Sequence, residues 1–352
     1  MSMKALSALG YDRFSRYLEN VARANELSET LDPMSLVARN FNVTPSLQQV
    51  LADKLTEDTS WLGNINIALV DEMKGEKLGL GLDGKIVSSR TDTNVADRAT
   101  KSVWYLDSNL YETRDTHFDT HLTYHQIDFW AKFPDFEARI ARHLLEAQRA
   151  DRIKIGFNGT SHAANTNRDL NPLGQDVNIG WLERMRISAA ENVLDSGADP
   201  AKVTFGSHAT ADFKTLDALV ISAVNEMISP WHRQRTDLVV LVSNDLLEDK
   251  YFDQYNIIQP PSEQLAAQAI DLQRRIGRHQ AKVVPWFPAG TVFVTFEKNL
   301  SIYEQSGSRR RSIKDEAKRS RFENYESFNE DYVVEDYDAA VLIEKIEEKN
   351  AA

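Results

Sequence analysis

The sequence predicts a mixed fold of the α+β class, in which helices pack on sheets. The segment from Pro134 to Gly156 keeps its apolar residues near one helical stripe. Residues 215–229 form a second apolar helical pattern that Pro230 closes, and the apolar run Leu238 to Val242 is typical of a buried strand. A long helix, and a helix followed by a buried strand, together favour a layered α+β architecture.

Composition and charge narrow the possible functions. The chain has 352 residues, 42% of them hydrophobic and 27% charged, which is enough apolar material for one large or two moderate cores. The net charge of -12 opposes binding of nucleic acid across a broad basic face. Cysteine is absent from the sequence, which excludes a disulfide framework, a thiol nucleophile and thiolate metal sites.

The sequence predicts no membrane partner. No stretch approaches the roughly 18 apolar residues of a membrane span, and the N-terminus lacks the apolar core of a signal peptide. We therefore expect synthesis and function in the cytoplasm, or in something assembled there.

The N-terminal region divides into two helical segments. Residues 11–27 carry apolar residues at helical spacing, and the break at Asp32-Pro33 makes this segment look detachable. Thr44, followed by Pro45 and Ser46, predicts a helix start, because Thr is a good cap and proline fits the first helical position.

An arm is predicted after the second helix. Leucines alternate with glycines from Leu78 to Leu82, a turn is expected at Asp83-Gly84, and Ile86-Val87 would form the returning strand of a hairpin. The polar residues from Ser88 to Lys101 bury too little apolar surface to be stable alone. We expect this arm to lie on a neighbouring subunit.

The second half of the chain is predicted to contain one more helix and several strands. The helix is expected from Ser262 to Ile276. The strands are expected at 283–284, 292–296, 300–303, 332–334 and 341–346.

Three glycines in the arm, Gly79, Gly81 and Gly84, match the spacing of a dinucleotide-binding loop. The residues from Lys85 to Ser88 favour a strand where that motif requires a helix. The glycines therefore indicate a flexible hairpin, and no cofactor is predicted.

Three histidines, His117, His121 and His125, are spaced four apart, which on a helix would suit zinc. The intervening apolar residues alternate, so the sequence favours a strand with these histidines on its polar face. Four residues along a strand span roughly 13 Å, which is too far for one metal ion. No metal site is predicted.

Two charged clusters remain. The acids Asp331, Glu335, Asp336 and Asp338 could supply a hydrolase pair, but no catalytic motif accompanies them, and a like-charged subunit edge is favoured.

The basic run Arg309 to Arg311, with Lys314, Lys318, Arg319 and Arg321, could contact nucleic acid, but contact with a neighbouring subunit is favoured. No catalytic residue is predicted, and we expect the chain not to be an enzyme.

Five longer segments of the sequence resemble those of a known protein family. The sequences EMKGEKLGLG (72–81), NPLGQDVNIGWL (171–182), ISPWHRQRTDLVVLVSNDLLEDKYF (228–252), PWFPAGTVFVTFEKNLSIY (285–303) and FENYESFNEDYVVEDYDAAVLIEKI (322–346) resemble the major capsid proteins of P2-like tailed bacteriophages. They occur in the same order from about Leu9 to Ile346. The resemblance therefore covers almost the whole chain.

The resemblance implies the HK97-type phage capsid fold. It implies six regions: an N-terminal segment removed on maturation (1–41), an N-terminal arm (42–71), an extended β-hairpin arm (72–104), a peripheral domain with a long spine helix (105–199), an axial domain (200–310), and a return to the peripheral domain with a C-terminal tail (311–352). The helix from Pro134 would be the spine.

The resemblance also implies the function and its partners. Hexamers and pentamers of the chain would form an icosahedral head shell that encloses double-stranded DNA without binding it specifically. The shell would be assembled in the host cytoplasm, become part of the virion, and involve a portal protein and a scaffolding protein with protease. Cleavage would fall near Phe41 and Asn42. The expected subunit-interface residues are Glu76, Lys77, Lys85, Arg309, Arg310 and Arg311.

Two alternatives remain open at this point. One is the shell protein of an encapsulin-type compartment, which would load cargo and would have no portal. The other is a metal-dependent hydrolase that uses the histidines and the C-terminal acids. Elemental analysis of the purified protein and electron microscopy of its particles distinguish these alternatives.

Overall fold

The computed structural model describes residues 6–25, 27, 33–37, 40–56, 61–77, 81–82, 90–91, 98, 100, 104–105, 110–247 and 274–349. Lys85, the turn expected at Asp83-Gly84 and most of the helix expected from Ser262 lie outside these residues, as do Gly79 and Gly84 of the glycine motif.

The helix starts follow the local sequence. The helices are α1 (Ala8–Ala24), α2 (Pro45–Thr56), α3 (Tyr124–Trp130), α4 (Phe136–Asn158), α5 (Trp181–Ser188) and α6 (Leu216–Met227). The predicted start of α2 is confirmed: Thr44 Oγ1 accepts a hydrogen bond from the Leu47 N–H at 3.4 Å. Thr215 likewise caps α6 by accepting from the Ala218 N–H at 3.1 Å. In both cases a side-chain oxygen satisfies an N–H that the helix leaves free.

Helix α4 has 23 residues and is the longest helix in the described part of the chain. The prediction that Gly156 ends it is wrong, because the helix continues to Asn158. A Cβ atom placed on Gly156 would lie 2.2 Å from Cζ3 of Trp181. This glycine therefore allows α5 to approach α4 closely.

The strands are numbered along the chain: β1 (Asn40–Asn42), β2 (Asn66–Val70), β3 (Lys74–Glu76), β4 (Gly81–Leu82), β5 (Trp104–Tyr105), β6 (Leu110–Glu112), β7 (Arg114–His117), β8 (Thr120–Thr123), β9 (Val193–Leu194), β10 (Val203–Phe205), β11 (Val239–Val242), β12 (Arg275–Ile276), β13 (His279–Val283), β14 (Val292–Thr295), β15 (Leu300–Gln305), β16 (Arg310–Glu316), β17 (Arg321–Val334), β18 (Val341–Ile343) and β19 (Ile346–Glu348).

A seven-stranded sheet is organised around β17. The order is β1-β16-β17-β15-β2, and β7 and β8 pair with successive parts of β17. β17 has 14 residues, which lets one strand pair with β16 near its start and with β15 near its end. This sheet carries α4 and the N-terminal segment.

The second sheet has six strands in the order β12-β13-β11-β14-β18-β9. Its central strand, β11, is buried at every position, which confirms the buried strand expected at 238–242. Helix α6 contributes Leu219, Val220 and Ala223 to the hydrophobic cluster on one face of this sheet. A different cluster, containing Trp181, Phe293 and Tyr332, joins this sheet to α4, α5 and the seven-stranded sheet.

The C-terminal strands divide between several sheets, and the expected domain boundaries stay predictions. Residues 300–310, expected in the axial domain, contain β15 and the first residue of β16, and both strands pair with β17 in the seven-stranded sheet. β18 pairs with β14 and β19 pairs with β10, so residues 341–348 do not return to the sheet of β17. The apolar run at 341–343 is buried on both faces, which suits an internal position beside β14.

One local prediction is wrong in type, and another lies partly outside the described residues. β4 pairs with β5, so Gly81 lies opposite Tyr105 and Leu82 opposite Trp104. Ile86 and Val87, expected to form the returning strand of the hairpin, lie outside the described residues. Arg275 and Ile276, expected at the end of a helix, form β12, which Gly277 in a left-handed conformation turns back into β13.

None of the helices in the described residues is long and apolar enough to span a membrane.

Candidate functional site

A group of buried charges lies where α4 crosses the seven-stranded sheet. Glu304 on β15 and Glu330 on β17 are direct cross-strand partners. Arg152 on α4 bridges them: its Nε donates to Glu330 Oε2 at 3.0 Å, and its Nη2 donates to Glu304 Oε2 at 2.8 Å. All three side chains are buried. One guanidinium therefore compensates two carboxylates that would otherwise repel each other.

A second cation extends this network. Arg309, also buried, donates from Nε to Glu326 Oε1 at 2.6 Å and from Nη2 to Gln148 Oε1 at 3.1 Å. Its Nη1 lies 3.4 Å from Glu304 Oε1. We call these five residues (Arg152, Arg309, Glu304, Glu326 and Glu330) the network. It alternates cations and anions between α4, β15, β17 and the residue that precedes β16.

The pKa shifts reflect the competition between burial and charge pairing. Burial acts to raise the pKa of Glu304, but the guanidinium groups of Arg152 and Arg309 outweigh it and lower that pKa. Burial raises the pKa of Glu330, and the Arg152 charge offsets this only in part. Burial also raises the pKa of Tyr332, whose hydroxyl donates to Glu330 Oε1 at 2.9 Å. These groups stabilise one another inside the subunit.

The network has the geometry of a structural element. A catalytic acid or base must reach a substrate within hydrogen-bond distance. The side chains of Arg152, Glu304 and Glu330 are at most 2% exposed, and their hydrogen bonds run between α4 and the sheet. The network therefore fixes α4 on the sheet.

A cleft of about 790 Å³ lies beside the network, between α4, the β7–β8 turn and residues 162–177. Charged groups in its walls are paired locally: His117 Nε2 lies 2.8 Å from Asp115 Oδ2, and Lys154 Nζ donates to Asp151 Oδ1 at 3.1 Å. Within the described ranges, no group of three or more His, Asp or Glu side chains could hold a metal ion.

The structure divides the three histidines among different elements. His117 ends β7, His121 lies in β8, and His125 lies in α3. The expectation of one continuous strand is wrong, because Phe118 and Asp119 interrupt it and Thr123 starts a capping box for α3. All three histidines are exposed, as expected for a polar face.

Two of the four C-terminal acids, Asp331 and Glu335, are held by contacts inside the subunit and not at a like-charged subunit edge. Asp331 is fully buried, and Arg184 Nη2 donates to its Oδ1 at 2.6 Å. Burial raises the pKa of Asp331, against the opposing charge of Arg184. Glu335 Oε1 accepts from the Tyr303 hydroxyl at 2.8 Å. These contacts are internal, so the prediction is wrong for both acids.

The other two acids, Asp336 and Asp338, shape a turn. Asp336 Oδ1 accepts from the Asp338 N–H at 3.0 Å, and Asp336 Oδ2 lies 3.1 Å from Nε2 of the buried His232. The Asp336 carboxylate therefore stabilises the turn, to which Asp338 contributes its backbone N–H while its residue is exposed.

The basic run Arg309 to Arg311 serves three different purposes. Arg309 belongs to the buried network, and Arg311 donates to Asn324 Oδ1 at 2.6 Å and to the Tyr17 hydroxyl at 2.9 Å. Both guanidinium groups are thus held by contacts within the subunit, and the expected contacts of Arg309 and Arg311 with a neighbouring subunit stay predictions. Arg310 is exposed, and no ion-pair partner for it occurs in the described ranges. Arg310 stays a predicted interface residue.

The other predicted interface residues lie in the arm. Glu76 is exposed at the end of β3, and Lys77 places its Nζ 3.9 Å from the centre of the Tyr337 ring. Lys77 thus contacts its own subunit, and its expected role at an interface stays a prediction. Lys85 lies outside the described residues.

The bond expected to be cleaved lies in an edge strand. Phe41 and Asn42 belong to β1, in which Phe41 lies opposite Arg311 and Asn42 opposite Arg310. Phe41 is buried and Asn42 is exposed. The strand is already extended, but it would have to separate from β16 before a protease could bind it.

The N-terminal segment expected to be detachable is packed on the rest of the subunit. Phe14 of α1 is buried, and its ring centre lies 4.4 Å from that of Phe322 on β17. Val37 forms a bridge to Ile313 of β16. The amphipathic pattern was correct, but its apolar side meets a matching face of the same subunit.

Comparison with known proteins identifies the family. Residues 13–346 match the family described as phage major capsid protein, P2 family. This chain belongs to that family.

Two curated relatives match almost end to end. The P2-family chain is 41% identical over 338 residues to the capsid proteins of Escherichia phage P2, covering 95% of this chain and 93% of the relative. It is 34% identical over 346 residues to the major capsid protein of Serratia phage KSP20, covering 95% of each.

A solved structure shares the fold. A chain of the satellite phage P4 procapsid, which includes the size determination (Sid) protein, is 40% identical with a TM-score of 0.79. The match covers 89% of the P2-family chain and 94% of the procapsid chain. The fold is the HK97-type capsid fold, and a capsid protein is a component of the virion.

The buried network of this P2-family protein was missed by the sequence patterns. Arg152 occupies a position four residues after Gln148 and eight after Leu144, so it continues the stripe that begins at Phe136 and Ile140. A charged residue at an apolar position of a long helix is the signal that could have predicted a buried partner.

Proposed function

We propose that this chain assembles with copies of itself into the icosahedral head shell that encloses phage double-stranded DNA. The observation that carries this proposal is the match to the procapsid chain over 94% of that chain's length. The internal pairing of buried charges supports it, because a shell subunit must keep its shape while its surfaces bind neighbours.

The two sheets suggest the roles of the regions. The seven-stranded sheet with α4 as the spine helix would form the peripheral domain, with 72–104 as the extended arm. The six-stranded sheet, whose strands β11 to β14 lie within residues 200–300 and which also includes β9 and β18, would form the axial domain of hexamers and pentamers.

The charge distribution supports enclosure of DNA without specific binding. The chain carries a net charge of -12, and two of its basic residues, Arg309 and Arg311, are held internally. An acidic lining repels phosphate, so densely packed DNA would stay free to leave.

The proposed partners are a scaffolding protein with protease and a portal protein. The protease would cut near Phe41-Asn42 and remove residues 1–41. Mass spectrometry of purified virions tests this step: chains that begin near Asn42 are expected, and intact chains that begin at Met1 or Ser2 as the dominant species would contradict it.

Sedimentation tests the function itself. The chain, co-expressed with its cognate scaffolding protein, should sediment as large particles that contain the chain as their main component. A chain that stays at the top of the gradient as monomers, with scaffold present and soluble, would contradict shell assembly.

A further inference from the structure

One hydrophobic cluster is shared between the N-terminal segment and the body of the subunit. The segment contributes Leu6, Phe14, Tyr17, Leu18, Val21, Met34, Leu36 and Phe41. The body contributes Tyr124, Ile127, Phe136, Ile140, Ile313 and Phe322, which we call the α1-binding face. More than half of the cluster therefore belongs to residues that the proposed maturation removes.

The contacts across this boundary are close and specific. The Phe14 and Phe322 rings are 4.4 Å apart at their centres, and Phe322 also lies 5.4 Å from the Tyr124 ring. Phe14 and Leu18 are almost completely buried by this packing. Helix α1 thus covers the α1-binding face in the intact chain.

Polar contacts surround this apolar boundary. The Ser7 hydroxyl donates to Asp128 Oδ1 at 2.6 Å, and the Arg311 guanidinium donates to the Tyr17 hydroxyl at 2.9 Å. Arg13 lies 3.8 Å from Glu137. Removal of the segment would leave two acids, Asp128 and Glu137, on the α3–α4 side of the face and Arg311 on the β16 side.

Removal of the whole N-terminal segment would also uncover the six large apolar side chains of the α1-binding face together. Exposure of such side chains to water is unfavourable, because their burial is a main driving force for folding and association. Contiguous apolar patches above a few hundred Å² are uncommon on monomers and mark interaction surfaces. A subunit that loses this helix needs a new cover for the face.

We propose that the α1-binding face is a subunit contact that α1 covers until the N-terminal segment is removed, and that a second copy of the processed chain then occupies it. This inference rests on the proposed function. A two-fold arrangement of two copies would place Arg311 of each near the acids of the other, so the charges left at the boundary are complementary between copies.

The test separates α1 from the body in the full chain. A site-specific protease sequence is inserted between residues 38 and 39, so that cutting releases α1 together with Met34 and Leu36, which also cover the face. Sedimentation velocity is measured before and after cutting, and gel filtration shows whether the α1 fragment leaves. We expect the fragment to leave and the remaining chain to associate.

Cross-linking locates the contact, because the natural sequence has no cysteine. His125→Cys places a thiol on exposed α3, next to Tyr124 of the face. Asn225→Cys places one on exposed α6, whose buried side belongs to a different cluster. After cutting, the His125→Cys chain should form covalent dimers several-fold more than the Asn225→Cys chain.

A second pair of variants tests, in the uncut chain, whether α1 prevents association by covering the α1-binding face. Phe14→Asp should loosen α1 and promote association of the intact chain, whereas Tyr11→Asp, on the exposed side of the same helix, should not. Circular dichroism confirms that both variants stay folded.

Three outcomes would overturn the proposal: the fragment stays bound after cutting, the cut chain stays monomeric, or both cysteine positions cross-link equally. Natural processing is scored separately by mass spectrometry of virions, so a failure of maturation and a failure of this contact are distinguishable.

Discussion

Glu304 and Glu330 lie directly opposite each other on neighbouring strands, and both carboxylates are buried. Like charges at such positions destabilise a sheet, so the pair depends on Arg152, which donates a hydrogen bond to each. The spine helix and the sheet are joined by this three-residue relationship, in addition to their apolar packing.

Replacement of Arg152 with Met should therefore destabilise the subunit strongly. The variant leaves two buried carboxylates without their shared cation, which costs about 3–5 kcal/mol in comparable cases. Chemical denaturation of the unassembled subunit measures the free energy of unfolding. Arg139→Met is the matched control: Arg139 pairs with the exposed Asp135 at the start of the same helix, and its loss should cost far less than the loss of Arg152.

A second variant shows whether the loss of stability in Arg152→Met comes from the missing charge or from lost side-chain packing. The double variant Arg152→Met, Glu330→Gln removes one of the stranded charges and should recover part of the lost stability. A double variant that is less stable than Arg152→Met alone would show that charge compensation is not the cause.

Gly156→Ala should destabilise the subunit through a steric clash with Trp181. The added Cβ would lie 2.2 Å from the indole ring, and overpacking of this kind costs about 1–3 kcal/mol. Trp181→Phe removes the ring atoms involved, although it also loses the Nε1 hydrogen bond to the Ser301 carbonyl. In a double-mutant cycle, the double variant should lose less free energy of unfolding than the sum of the two single variants. A loss equal to that sum would contradict the clash.

Asp212 should make the stability of the subunit depend on pH in the acid range. Its carboxylate accepts from the Thr204 hydroxyl at 2.7 Å, the Ala198 N–H at 2.7 Å and the Thr204 N–H at 2.8 Å, and these bonds hold its pKa below the usual 3.8. A lowered pKa in the folded state adds stability that is present above the unfolded pKa and is lost as pH falls through the folded pKa.

Asp212→Asn should therefore be less stable than the parent near neutral pH, and the difference should shrink as pH falls below about 4. Denaturation curves measured from neutral to acid pH check this. A difference that stays constant down to the lowest pH would show that the charge of Asp212 contributes nothing.

Arg310→Glu should reduce shell yield while leaving the subunit fold intact. Arg310 is exposed beside the buried Arg309, so reversal of its charge changes the surface and no internal bond. Shell yield by sedimentation and DNA binding by titration at two salt concentrations are measured on the same variant. Normal shells with a marked loss of salt-sensitive DNA binding would show that this residue contacts phosphate. Arg310→Lys keeps the charge and is the control.

The sequence predicted the elements whose cause is local. The helix start at Thr44 and the buried run of β11 depend on residues close in the chain, and both are found. Gly156 shows where this reasoning fails: glycine favours a helix end locally, but Trp181, distant in sequence, makes it a packing residue.

The charged residues show the same limit more strongly. Arg309, Arg310 and Arg311 form one run in the sequence, but alternation along the start of β16 and the packing of α4 and α1 give each a different environment. The sequence around Asp331 is typical of a surface acid, but in the fold the buried carboxylate accepts a hydrogen bond from Arg184. A cluster of charged residues in the sequence does not show which side chains will face the core. The orientation of each side chain depends on the register of its strand.

The central claim is that this P2-family protein is a shell subunit, and electron microscopy of its particles tests it most directly. The chain, co-expressed with its cognate scaffolding protein and purified by sedimentation, should form closed icosahedral shells into whose density the seven-stranded sheet and α4 fit as one unit. Irregular aggregates, or dispersed monomers in the presence of soluble scaffold, would contradict the account.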